Sequence, residues 1–166
     1  MSGVKTLMLR LRAARFDELP QLTELCVQST ALVGYDDALR QSCRDRLAFR
    51  PADMENSLIC VAEADNALLG AAQLLLQDDI AFLARLFVSP ANAMTGIGKT
   101  LFGWSLNAAH RAGAERLLID CHPLAAGFYQ RMGARAEERV DKGPLPGLPT
   151  PRFRITLTPC RAVARE

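Results

Sequence analysis

Two stretches of this chain place chemically capable residues at telling intervals. The first is Ala93-Met94-Thr95-Gly96-Ile97-Gly98-Lys99-Thr100, where two glycines open a helix soon after an apolar strand ending at Val88. A helix start of this kind presents several unpaired backbone N–H groups at a positive end, and glycine lets an anion approach them closely. A pyrophosphate fits. The second is Ala126-Gly127-Phe128-Tyr129-Gln130-Arg131-Met132-Gly133-Ala134, whose Tyr129 either packs beside Phe128 or offers a phenolic proton. Other reactive types give no constellation. Cys26, Cys43, Cys60, Cys121 and Cys160 contain no CxxC pair, and His110 and His122 have no ligand spacing to them. Buried thiols in a reducing compartment are expected, with neither a disulfide framework nor a metal.

Gly98-Lys99-Thr100, with Leu117-Leu118-Ile119-Asp120 beyond it, imitates a nucleotide-binding P-loop and its magnesium-holding aspartate. Three features count against the P-loop, which stays the lesser alternative. Ala93 stands where the loop needs glycine, and only 66 residues follow Thr100. Each parallel strand added to a sheet needs a crossover of a dozen or more residues. The strands upstream read as hairpins.

The elements that must position these residues follow from periodicity. Leu9 and Leu11 alternate with Arg10 and Arg12, a half-buried strand over 8–12. Asp17 is expected to cap a helix over 17–30 that carries Leu19, Leu22 and Cys26 and tolerates Pro20 in its first turn. A second helix starts at Asp36 or Asp37, carries Leu39, Cys43 and Leu47, and ends at Pro51. Ser57 to Ala64, Ala67 to Gln77 and Ile80 to Val88 are apolar, branched runs separated by Asp65-Asn66 and Asp78-Asp79, an antiparallel meander. The helix from Gly96 to Arg111 is expected to bury Ile97, Leu101, Trp104, Ala108 and Ala112, leaving Lys99, Gly103, Asn107 and His110 wet. Gly113 ends it. A strand over Arg116 to Cys121, a helix over Leu124 to Met132 closed by Gly133, and two strands flanking the loop from Lys142 to Pro151 complete the chain.

The order predicts one α/β (α+β) domain over residues 1–166. Its mixed, mostly antiparallel sheet has about seven strands and is flanked by about four helices. At 166 residues and 18.2 kDa the chain is long enough for a single core, and 49% hydrophobic with 23% charged residues excludes disordered and fibrous classes. No apolar run reaches the roughly 18 residues of a membrane span, and arginines occupy the N-terminal stretch where a signal peptide needs apolar residues. A cytoplasmic setting is expected. The net charge is +2, and the arginines are scattered without aromatic interleaving, so neither nucleic acid nor membrane is expected as a partner.

From Leu83 to Ala134 the chain resembles the GNAT superfamily of acyl-CoA-dependent N-acetyltransferases. The residues that carry this are Leu83-Ala84-Arg85-Leu86-Phe87-Val88-Ser89-Pro90, the Gly96-Ile97-Gly98-Lys99 turn, and Ala126 to Ala134, with weaker echoes at Leu69-Gly70 and Arg10 to Asp17. The resemblance implies acetyl transfer from acetyl-CoA to a small-molecule or peptide amine, and a homodimer is the family-based expectation for assembly. It implies that the strand ending at Val88 splays from Arg116 to Cys121, with the pantetheine arm pairing to backbone near Phe87 and Val88. The N–H groups of Thr95, Gly96, Ile97, Gly98, Lys99 and Thr100 would hold the pyrophosphate, with Ala126 and Phe128 beside the cofactor. A backbone N–H near Val88 would polarise the thioester carbonyl. Tyr129 matches the tyrosine that protonates the departing thiolate, although a phenol near pKa 10 facing a thiol near 8.5 makes full transfer uphill by roughly 2 kcal/mol. Hydrogen bonding is then its main contribution.

Two departures stand out. Ala93 replaces the usual Gln or Arg of the phosphate loop, which lowers the expected cofactor affinity. No carboxylate lies in the middle of the Ile80–Val88 strand, where many members place the amine's base, and Phe82, Leu83 and Ala84 cannot serve. Asp78 and Asp79 read as turn residues. Asp120 and His122, at the end of the neighbouring strand, are candidates acting through water, and the base is left unassigned. The acceptor is expected between the first two helices and the Lys142 to Pro149 loop. Asp36 and Asp37 are read first as a helix cap and second as a receiver of a cationic substrate.

Overall fold

Among the described residues seven strands pair in the order β1-β2-β3-β4-β5-β7-β6. They are β1 (Arg10–Ala13), β2 (Leu58–Ala64), β3 (Ala67–Gln77), β4 (Ile80–Val88), β5 (Arg116–Asp120), β6 (Arg135–Ala136) and β7 (Arg152–Thr156). The computed structural model describes residues 8–137 and 150–158. The meander turns fall where short polar residues permit them, with Asp65, Asn66 and Asp78 all at positive φ. Of the six pairings among the described residues only β4 with β5 is parallel, which removes the parallel core a P-loop enzyme needs.

One face of the sheet packs Ile59, Val61, Ala71 and Phe87 against Leu19, Leu22, Leu25 and Cys26 of α1 (Leu19–Ser29). Three short helices, α2 (Asp37–Ser42), α3 (Arg44–Leu47) and α4 (Pro51–Asn56), follow it. The opposite face packs Cys60, Ala62, Ala72 and Leu74 against α5 (Ile97–Arg111) and α6 (Ala126–Arg131).

Four expectations need correction. Asp17 does not cap α1; it lies inside a short 3-10 turn, Phe16–Glu18, and Glu18 accepts from the Arg15 N–H at 2.8 Å. The second helix breaks at Cys43 and again at Ala48, and Pro51 starts α4 instead of ending what precedes it. Proline suits a first helical turn, because the N–H it lacks has no helical acceptor there. The buried stripe of α5 is rotated: Ile97 and Leu101 are joined by Phe102, Ser105 and Ala109, while Trp104 and Ala108 are half-buried and Ala112 is exposed. Phe102 is drawn inward because it meets Phe128 and Tyr129 of α6 edge to face, at 6.2 and 5.9 Å between ring centroids. The segment Leu124 to Met132 begins as a 3-10 turn, Pro123–Ala125, before α6. The Lys142 to Pro149 wall and Cys160 lie outside the described residues.

Candidate active site

The site begins with a fault in β4. Gln73 of β3 faces Arg85 and Leu74 faces Leu83, so Ala84 has no partner and forms a bulge. A bulge bends its strand and reverses which side chains face which way. Before it, Ala81 and Leu83 point to the α5 face; after it, Phe87 points to the α1 face while Leu86 and Val88 pack on the α5 side. The bend also parts β4 from β5. Their pairing covers Ile80 to Phe82 with Arg116 to Leu118 and stops there. From Leu83 to Val88, the edge of β4 toward β5 has no strand partner among the described residues. It can accept an extended arm as an added strand.

The α5 start stands at the C-terminal end of that edge. Gly96 takes φ +87° at the helix cap without a side-chain cap, and Met94 before it also has positive φ. The Thr100 N–H already donates to the Gly96 carbonyl at 3.1 Å, as does the Thr100 hydroxyl at 3.0 Å. Thr95 Oγ1 donates to the Asn92 carbonyl at 2.5 Å. The threonine hydroxyls therefore shape the loop, and the N–H groups of the first helical residues Ile97, Gly98 and Lys99 are what it offers an anion.

α6 closes the third side. A Cβ at Gly98 would lie 3.6 Å from the Phe128 ring and 3.7 Å from Val88 Cγ2, so the α5 start, β4 and α6 converge on a position kept clear by a missing side chain. Tyr129 is buried, 6% exposed, edge-on to Phe128 at 5.1 Å and stacked on Phe153 at 6.5 Å. Burial first, and the nearby Cys121 thiol second, push its phenol well above the usual value near 10. Burial likewise raises Cys121, to about 11.

A wedge between splayed strands, a glycine-led helix start and a buried tyrosine coincide with a sequence match. The model of the acetyltransferase (GNAT) domain covers residues 22–143. The chain belongs to the GNAT acetyltransferase family. No curated protein matches it by sequence. Among solved structures it resembles the PaiA N-acetyltransferase of Thermoplasma acidophilum in complex with coenzyme A (20% identity, TM-score 0.73, covering 89% of this chain and 98% of that one). A GCN5-related N-acetyltransferase of Rhodopseudomonas palustris gives 24% identity and TM-score 0.73, covering 89% and 95%. The ribosomal-protein-S18-alanine N-acetyltransferase of Escherichia coli gives 15% and 0.67, covering 96% and 99%. GNAT proteins transfer an acyl group from acyl-CoA, with acetyl-CoA as co-substrate. The open strand edge, the helix-start N–H groups and the clear space at Gly98 fit that ligand. Among the described residues no helix is long and apolar enough to cross a membrane, and no cluster of His, Cys, Asp or Glu is arranged for a metal ion.

The base candidates of this GNAT domain, and Asp36 as cap or substrate receiver, fare differently. Asp78 and Asp79 are exposed in the turn before Ile80, at the end of β4 away from the wedge. Asp120 is held by Arg152 in a two-pronged pair at 2.7 and 2.9 Å. Asp36 caps α2, accepting from the Leu39 N–H at 2.8 Å. His122 follows β5, and its Nδ1 accepts from the Leu124 N–H at 3.1 Å.

Two residues that sequence reasoning passed over contribute here. Arg85 donates to the Leu47 and Ala48 carbonyls at 2.9 and 3.2 Å and lies 4.1 Å over the Phe49 ring, pinning the loop before α4 to β4. Tyr35 brings its ring to His122 at 5.7 Å. Its signal was Gly34, whose φ of +84° turns the chain after α1.

Proposed function

We propose that this domain acetylates a primary amine of a small molecule or peptide by direct attack on acetyl-CoA in a ternary complex. The wedge between β4 and β5, with Gly98 and Phe128 at its rim, carries the reading. Phe87 and Val88 take the pantetheine arm along their open backbone edge. Ile97, Gly98 and Lys99 hold the pyrophosphate through backbone N–H groups, on a loop shaped by Thr95, Gly96 and Thr100. Ala126 and Phe128 of α6 close over the arm. The Val88 N–H polarises the thioester carbonyl, where charge develops. Tyr129 donates a hydrogen bond to the departing sulfur, and its raised pKa opposes outright proton transfer. The buried free thiols Cys26, Cys43, Cys60 and Cys121 suit a reducing cytoplasm.

Ligand-dependent melting tests the reading. Micromolar acetyl-CoA is expected to raise Tm through preferential binding to the folded state, and Mg-ATP is not. Greater stabilisation by Mg-ATP would overturn it and make Lys99-Thr100 a phosphate clamp. Binding without acetyl-CoA consumption across an amine panel would assign a coenzyme-binding regulatory module in place of an enzyme.

Gly98→Val probes the rim. Gly98 lacks positive φ, so the variant keeps its backbone, and the strained position is Gly96 instead. A single Cβ fits at ordinary contact distance, but the two further methyls of valine fill the space beside Phe128 and Val88. Acetyl-CoA affinity is expected to fall at least about tenfold with the fold intact. Unchanged affinity by calorimetry would contradict the pyrophosphate assignment.

A further inference from the structure

β4 is apolar along its length except at Arg85, the residue that follows the bulge. On the α1 face its guanidinium has a prepared seat. It donates to the Leu47 and Ala48 carbonyls, lies over the Phe49 ring, and stands 4.0 Å from Asp53 Oδ2. Its partner across β3 is Gln73, 3% exposed, which donates to Asp53 Oδ1 at 3.3 Å and to Ser57 Oγ at 2.9 Å. Two polar side chains thus pair across β3 and β4 directly beside the bulge.

That seat exists only in the bulged register. Leu74 faces Leu83, so an unbroken pairing would continue with Gln73 opposite Ala84 and Ala72 opposite Arg85. Ala72 is fully buried on the α5 face. The guanidinium would then enter an apolar core away from its carbonyls and from Asp53, a far larger penalty than one unpaired residue in a strand. Leu86, Phe87 and Val88 impose no such rule, since apolar side chains are accepted on either face of this sheet. The charge at position 85 forbids the slip. An unbent β4 would also keep running beside β5, where Ile119 and Asp120 extend past the last parallel pair, Phe82 with Leu118.

We infer that Arg85 fixes the bulge, and through it the open edge that takes acetyl-CoA, as a positioning residue that does not touch the ligand. The inference rests on the acetyl-transfer reading above. Without the charge, β4 exchanges between a bent register that leaves its edge open and a straight one that closes on β5. Only the bent register binds. Apparent affinity therefore falls by the fraction of molecules that hold it, and amide exchange along the edge slows by the same fraction.

Arg85→Met and Arg85→Lys provide the test. Methionine is unbranched and packs on either face, whereas lysine keeps the charge and loses the fork that bridges two carbonyls. Arg85→Met is expected to melt cooperatively and to bind acetyl-CoA about tenfold more weakly by calorimetry. Without ligand, its amide hydrogen exchange across 83–86 is expected to slow about tenfold. Arg85→Lys is expected to stay within about threefold of wild type in both. Neutral S-acetylpantetheine is expected to show the same loss in Arg85→Met as acetyl-CoA. A loss confined to acetyl-CoA would mean that the charge acts on its phosphates, and overturns the inference. A tenfold loss in Arg85→Lys does so too, by assigning the effect to the carbonyl fork. Wild-type exchange in Arg85→Met also overturns it, as does an Arg85→Met chain with no cooperative melt, which would make Arg85 a residue of overall stability. Failure of the wild-type chain to bind acetyl-CoA strikes the acetyl-transfer reading itself, and the exchange rates then still decide whether Arg85 sets the register.

Discussion

Tyr129→Phe is expected to lower turnover about 10²-fold while acetyl-CoA affinity stays within about threefold of wild type. Phenylalanine keeps the ring, and the ring is what Phe102, Phe128 and Phe153 contact, so packing and stability at pH 7 are preserved. In the proposed role the hydroxyl acts on a sulfur that becomes charged only as the C–S bond breaks, so its loss would be felt in the transition state. The size follows from the environment. General-acid removal costs about 10²–10⁴-fold, and a phenol raised by burial is a poor match for a thiol near 8.5, which puts the effect at the bottom of that range. The sign with pH is also fixed. A folded-state pKa raised above the unfolded value of about 10 keeps the phenol protonated at neutral and mildly alkaline pH, and its stabilising effect is lost only as pH climbs through the raised value. Turnover within about threefold of wild type, or a loss seen only as weaker acetyl-CoA binding, would remove Tyr129 from the chemistry.

What the sequence makes legible here is local. The boundaries of β3 and β4 can be read to the residue because Asp65-Asn66 and Asp78-Asp79 are polar turns between apolar runs. Gly113 and Gly133 mark helix ends because both take positive φ. Pro51 is ambiguous by nature, since it ends one helix and starts another equally well, and the choice depends on Phe49 docking against Phe87 across the α1 face. The bulge at Ala84 leaves no trace, because apart from Arg85 β4 is apolar on both faces and a reversal of alternation goes unseen. Helical spacing runs the α5 stripe through Trp104, and it is the aromatic junction of Phe102 with α6 that rotates it. Tyr35 and His122 lie far apart in the chain, and only the fold brings their rings together.

Gly70→Ala is expected to destabilise the protein by about 3 kcal/mol, near the upper end for overpacking a filled site, and to lower Tm by about 6–12 °C. Gly70 pairs with Val88 across β3 and β4, next to the proposed pantetheine edge. A Cβ there would sit 2.6 Å from the Phe87 carbonyl oxygen, 3.2 Å from Leu101 Cδ1 and 3.3 Å from Val88 Cα. The leucine methyl can give way, but the carbonyl belongs to backbone and cannot move without carrying the end of β4 with it. The same shift displaces Phe87 and Val88 relative to the start of α5, so acetyl-CoA affinity is expected to fall together with stability. Gly103→Ala separates this from a general effect of losing glycine. A Cβ at Gly103 meets nothing within 4 Å, and alanine in the middle of α5 is expected to stabilise by roughly 0.5–1 kcal/mol without touching affinity. Thermal melts with and without acetyl-CoA read both quantities. A Gly70→Ala variant with wild-type Tm and wild-type ligand shift would mean that the end of β4 is not held by this contact, and the positioning of Phe87 and Val88 would need another cause.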